Sequence, residues 1–151
     1  MKKLLVLALV AMIGATAFCK TIDEVFNAFP KADNVQEMTV DKAMMAMAMS
    51  AGSDKAEMMK DIDAIRLIGI EAPSREQIAI AKEIMTDGVD GFDVMVDTSE
   101  EEESALILTQ GDGKVFNKLL IIAIQKENVA IVLIEGKINP EDTDKMVDFG
   151  K

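Results

Sequence analysis

The sequence predicts an α+β domain, a two-layer sandwich in which an antiparallel or mixed sheet of about six strands carries helices mainly on one face. Three observations in its 151 residues lead there. The first half alternates strand-like and helix-like segments with capping residues between them. The second half changes to period-two alternation broken by short turns. Finally, the segments 119–124 and 129–134 are apolar at every position. A strand wetted on one side alternates apolar and polar residues, so these unbroken runs belong at the centre of a sheet covered on both faces.

The elements follow in order. Residues 1–17 have the layout of an export signal: Lys2 and Lys3, an apolar run over 4–13, then Ala15, Thr16 and Ala17 as a small-x-small cleavage site. The run is short for a bilayer span, so no transmembrane segment is expected in the mature form. Cleavage after Ala17 leaves one domain over 18–151. Cys19 offers the alternative of a lipid anchor, but lipoprotein processing calls for a small residue before the cysteine, and Phe18 stands there. Either route predicts an exported protein, periplasmic or extracellular.

Thr21 and Glu24 have capping-box spacing and open a short helix through Phe29, with Ile22, Val25, Phe26 and Phe29 on its apolar face and Pro30 as its stop. A strand follows over 35–40. Asp41 caps a helix over 42–51 that breaks at Gly52 and Ser53 and resumes over 54–60. The next strand covers 62–70. Ser74 and Gln77 start a third helix after Pro73, and Gly88 ends it. Phe92, Val94 and Val96 alternate with Asp93, Met95 and Asp97, as in a strand with one buried face. The acidic run 99–104 is a solvated turn into a strand over 105–109. Gly111, Asp112 and Gly113 make one hairpin, and Glu127 with Asn128 makes another between strands over 115–126 and 129–137. Asn139, Pro140, Glu141 and Asp142 suit the start of a closing helix, with Asn as cap and Pro at the first helical position.

Composition bounds the chemistry. There are 27 acidic and 16 basic residues, and loss of Lys2 and Lys3 with the signal takes the net charge from −11 to −13. Phosphate recognition needs clustered Lys and Arg, so nucleic acid and anionic lipid are not expected partners. A single cysteine cannot form an internal disulfide, and a chain of this length buries about two thirds of its unfolded surface without one. With no histidine there is no Ser-His or Cys-His pair and no imidazole metal ligand.

Met38-Thr39-Val40-Asp41-Lys42-Ala43, Ile65-Arg66-Leu67-Ile68-Gly69-Ile70 and Ile131-Val132-Leu133-Ile134-Glu135-Gly136-Lys137-Ile138 resemble stretches of the exported bacterial domain of unknown function 4252 family, Bacteroides-type small secreted or lipoprotein domains. The resemblance covers nearly the whole mature chain. It implies an exported α+β domain and brings no catalytic residues with it.

Met44, Met45, Met47 and Met49, followed by Met58 and Met59, are the strongest local oddity. Thioether sulfur is a soft ligand for Cu(I), and members of this set recur at helical spacing. Methionine also fills gaps where a helix packs on a sheet, and adjacent helical residues cannot converge on one ion, so packing is the preferred reading and a Cu(I) carrier the alternative. Asp87, Asp90 and Asp93, with Gly88 and Gly91 between them, fail the alternating calcium-loop pattern and suit turns instead. No catalytic, cofactor-binding or metal residue is assigned, and the chain is not expected to be an enzyme. The expectation is a non-catalytic envelope module that binds an unknown protein or an apolar ligand, or a second copy of itself, through apolar sheet surface left over by short helices.

Overall fold

The computed structural model describes residues 20–50, 60–100, 103–112 and 114–142. The signal segment, Phe18 and Cys19, residues 54–59 of the expected helical piece over 54–60 with Met58 and Met59, and the body of the closing helix lie outside them. The described elements are α1 (Ile22–Asn27), β1 (Val35–Val40), α2 (Lys42–Ser50), β2 (Ile62–Glu71), α3 (Arg75–Asp87), β3 (Asp93–Ser99), β4 (Ser104–Gly111), β5 (Phe116–Ile124), β6 (Asn128–Ile138) and a 3-10 turn, Pro140–Asp142. All six strands join one sheet in the order β1-β2-β6-β5-β4-β3, and every neighbouring pair is antiparallel. The unbroken apolar runs are β5 and β6, and they occupy the two central positions.

The helix starts follow their caps. Thr21 Oγ1 accepts the Glu24 N–H at 3.3 Å, and Asp41 Oδ1 accepts the Met44 N–H at 2.9 Å, each satisfying a donor that a first turn leaves unpaired. At α3 both halves of the capping box form between Ser74 and Gln77, and Gly88, at φ +79°, closes the helix with its N–H on the Ile84 carbonyl. Gln77 carries a second task. Its side chain exchanges hydrogen bonds with the Asn34 amide at 2.7 and 3.1 Å, and Asn34 also donates to the Glu71 carbonyl, so the entry to β1, the exit of β2 and the start of α3 are tied at one partly buried point.

The antiparallel register aligns residues in rows that cross the whole sheet. On the first face Glu37, Ile68, Ile131, Ile122, Leu106 and Asp97 stand in one row, and Thr39, Arg66, Leu133, Leu120, Leu108 and Val94 in the next. Val25 and Phe26 of α1 and Ala81 and Ile84 of α3 pack with these strands as the larger core cluster. Arg66 pins α1 to the sheet edge: its guanidinium stands over the Phe26 ring, 4.3 Å from the centroid, and bridges Glu37 at 3.1 Å and Asp23 at 3.8 Å. The second face has its own cluster, in which Met45 of α2 meets Ile62, Ile107, Leu119, Ile134 and Ile138. The described helices are therefore divided, α1 and α3 on one face and α2 on the other. Met45 is the residue that seats α2 on that second side.

One local reading changes as well. Val94 and Val96 do not share a face: the register shifts between them, pairing Val94 with Leu108 and Val96 with Ile107. Met95 is the extra residue of a bulge in an edge strand, and Val94 is exposed as a result. At the other end, only the 3-10 turn Pro140–Asp142 of the expected closing helix falls among the described residues.

Candidate interaction surface

The second face is built from three cross-strand rows that differ in how they are covered. The first, Val40, Ile65, Ile134, Leu119 and Thr109, belongs with the Met45 cluster, and its central members Ile134 and Leu119 are buried. One pleat further along stand Met38, Leu67, Val132, Ile121, Ile107 and Val96, six apolar side chains on six strands. Only Ile107 in this row is buried. Leu67, Val132, Ile121 and Val96 are half-buried, and Met38 is 52% exposed. The last row, Gln36, Gly69, Ala130, Ala123, Ala105 and Thr98, is made of small or short polar residues across its middle, and leaves a smooth floor beside the middle row. Alternation on central strands places these residues outward as firmly as it places Ile122 and Ile131 in the main core.

Helix α2 borders this surface. It leaves β1 through Asp41 alone, and Lys42 Nζ reaches Asp63 of β2 at 3.2 Å, which fixes its first turn beside the start of that strand. Met45 is 1% exposed, whereas Met44 is 50% and Met47 72% exposed. The methionine set thus splits: Met45 is a core residue and Met44 and Met47 face solvent. Met45 is consequently not available to join them around one ion; the side chain of Met49 lies outside the described residues. Among the described residues the large apolar side chains that stand exposed are Met38, Met44, Met47, Val94 and Met95, and all but Val94 are methionine. The sequence pattern drew attention to α2 but missed Met38 and Leu67. The signal that could have found them is the registry of β1 with β2, which a single strand does not display.

The acidic positions singled out earlier do not converge. Asp87 ends α3, Asp90 lies in the following turn, where its N–H donates to the Lys20 carbonyl, and Asp93 begins β3. Gly88 and Gly91 both adopt positive φ there, as turns require. Among the described residues no group of His, Cys, Asp and Glu gathers as a metal site would need, and no helix is long and apolar enough to cross a membrane. The Asp112 carboxylate is held below the ordinary range by the Val115 and Lys114 N–H groups of its own turn. A shallow open cleft of about 470 Å³, lined by Glu71, Ala72, Pro73, Lys126, Glu127 and Asn128, sits at the end of the β5–β6 hairpin and has no apolar floor of comparable extent.

The family described as Domain of unknown function (DUF4252) matches residues 26–146. The chain belongs to that family. The match takes in every strand of the sheet and both helices that border its two faces, α2 and α3. No curated protein and no solved structure matches the chain. For this DUF4252 domain the three-row surface and its methionine border are the feature from which a function can be argued.

Proposed function

We propose that this DUF4252 domain is a non-catalytic interaction module of the cell envelope that receives a partner protein or an apolar ligand on the second face of its sheet. The observation that carries the reading is the row Met38, Leu67, Val132, Ile121 and Val96, incompletely covered, with Met38 52% exposed. Burying one such side chain is worth about 1.5–3 kcal/mol, so a row of them left partly wet is a stabilisation held in reserve for association. The export layout of residues 1–17 supports the envelope as its place of work.

Binding of an apolar fluorescent dye tests the proposal. The folded protein is expected to enhance dye emission, and Met38→Lys with Leu67→Lys is expected to abolish the enhancement while far-UV circular dichroism stays native. A folded wild type that leaves the dye dark would remove the proposal, and so would enhancement unchanged by the two lysines.

A further inference from the structure

Packing accounts for Met45, which is buried among Ile62, Ile107, Leu119, Ile134 and Ile138, and Met38 belongs to the row on the second face. Met44 and Met47 are explained by neither. They stand exposed on α2, three residues apart. Helix formation does not call for them, since leucine, lysine, glutamine and glutamate are about as good helix formers and the last three are at home in water. We propose that Met44 and Met47 are a sacrificial oxidation site, which takes up oxygen from a hypohalous acid as sulfoxide and so spares Met45. In each event the sulfur gives two electrons to the chlorine of hypochlorous acid: an S–O bond forms, the O–Cl bond breaks, and chloride and a proton leave. The proposal does not depend on the interaction reading above.

Two independent observations lead to it. The first is composition. The chain has 12 methionines, one cysteine and no tryptophan, tyrosine or histidine, so thioethers are by far its most numerous easily oxidised side chains. The second is position. A sulfoxide at Met44 or Met47 keeps its oxygen in water, and the fold loses nothing by it. A sulfoxide at Met45 would place a strong acceptor among five aliphatic side chains that have no donor to offer. Met45 lies between the two in the chain, so an oxidant arriving at α2 meets the exposed sulfurs first. Hypochlorous acid is small and neutral, so the net charge of −11 does not repel it as it would an anionic oxidant, and it reacts with thioethers fast enough to be consumed on first contact.

The experiment adds hypochlorous acid in steps to the folded full chain, with Cys19 alkylated beforehand, and locates sulfoxide at each methionine by fragment-ion mass spectrometry. Met44 and Met47 are expected to oxidise about tenfold faster than Met45, with thermal unfolding unchanged while they do. The double variant Met44→Leu with Met47→Leu keeps helix-forming side chains at exposed positions, and its unfolding before oxidant is added gives the baseline. It is expected to oxidise at Met45, and to lose its thermal midpoint, at about two equivalents less oxidant than the wild type. Met45→Leu, a swap that conserves volume, is expected to hold its midpoint through the dose at which the wild type loses it. Oxidation of Met45 as fast as its neighbours, or loss of structure as Met44 and Met47 react, would overturn the proposal. A double variant that oxidises at Met45 only at the wild-type dose would show that the exposed sulfurs shield nothing, and a Met45→Leu variant that unfolds with the wild type would show that Met45 is not what they protect; either result overturns it.

Discussion

Asp112 shows how a side chain can hold a turn through its charge. Its carboxylate accepts the Lys114 N–H at 2.9 Å and the Val115 N–H at 3.0 Å, bridging the end of β4 to the start of β5. Both bonds favour the ionised form, the Val115 bond most, and the folded pKa is lowered. For a lowered carboxylate the sign of the linkage is fixed: its stabilisation is complete above the unfolded pKa and is lost as pH falls through the folded value. Replacing Asp112 with alanine is therefore expected to lower the denaturant midpoint at neutral pH, and the gap from wild type should close in strong acid. Denaturant titrations of both proteins across the acid range measure this. A gap that stays constant would mean that the turn does not depend on the carboxylate's charge. Gln77 works by a different route, since its amide is neutral and its effect is to leave no buried partner unpaired at the Asn34 junction.

At the scale of elements, the strands carry bulges that aim their ends. In β6 the register with β2 shifts between Ala64 and Ile62, opposite Glu135 and Gly136, and Gly136 sits at φ +151° with the backbone of Asp61 and Ile62 against it. A β-carbon at Gly136 would collide with the Asp61 carbonyl, which is main chain and cannot swing aside. The same stretch donates the Lys137 N–H to that carbonyl at 2.8 Å, so the close approach is bonded in place. Gly136→Ala is expected to cost about 1–3 kcal/mol in chemical denaturation, with the loss concentrated where Ile62 and Ile138 join the second cluster. An unaltered midpoint would show that the two strands can part there at no cost. Such bulges also mark where the sequence stops being readable. The caps of α3 could be read directly, because Ser74, Gln77 and Gly88 determine them. Val94 and Val96 could not, since an alternating pattern looks the same whether or not Met95 is looped out. The destination of α2 was hidden for a related reason: with methionine or alanine at nearly every position, it has no polar stripe to show which side meets the sheet.

Over the whole molecule a single sheet serves two cores, and β5 belongs to both. Leu119 and Leu120 are adjacent and each fully buried, the first in the Met45 cluster and the second in the cluster under α1 and α3. The candidate surface is an extension of the smaller cluster, so its middle row is held flat by the same strands that the larger core fixes from behind. If the two cores were energetically separate, the second face could loosen alone. The shared backbone hydrogen bonds of β5 and β6 argue otherwise, because no strand can leave one core without leaving the other. Leu119→Ala and Leu120→Ala are each expected to cost about 2–5 kcal/mol, the loss of a buried leucine plus the cavity it leaves. Each should shift one cooperative transition seen identically by far-UV circular dichroism and by amide exchange in β6. If Leu119→Ala released only the amides that flank α2 and left those opposite Ile122 protected, the cores would be independent, and the second face would have to be treated as a unit that folds on its own.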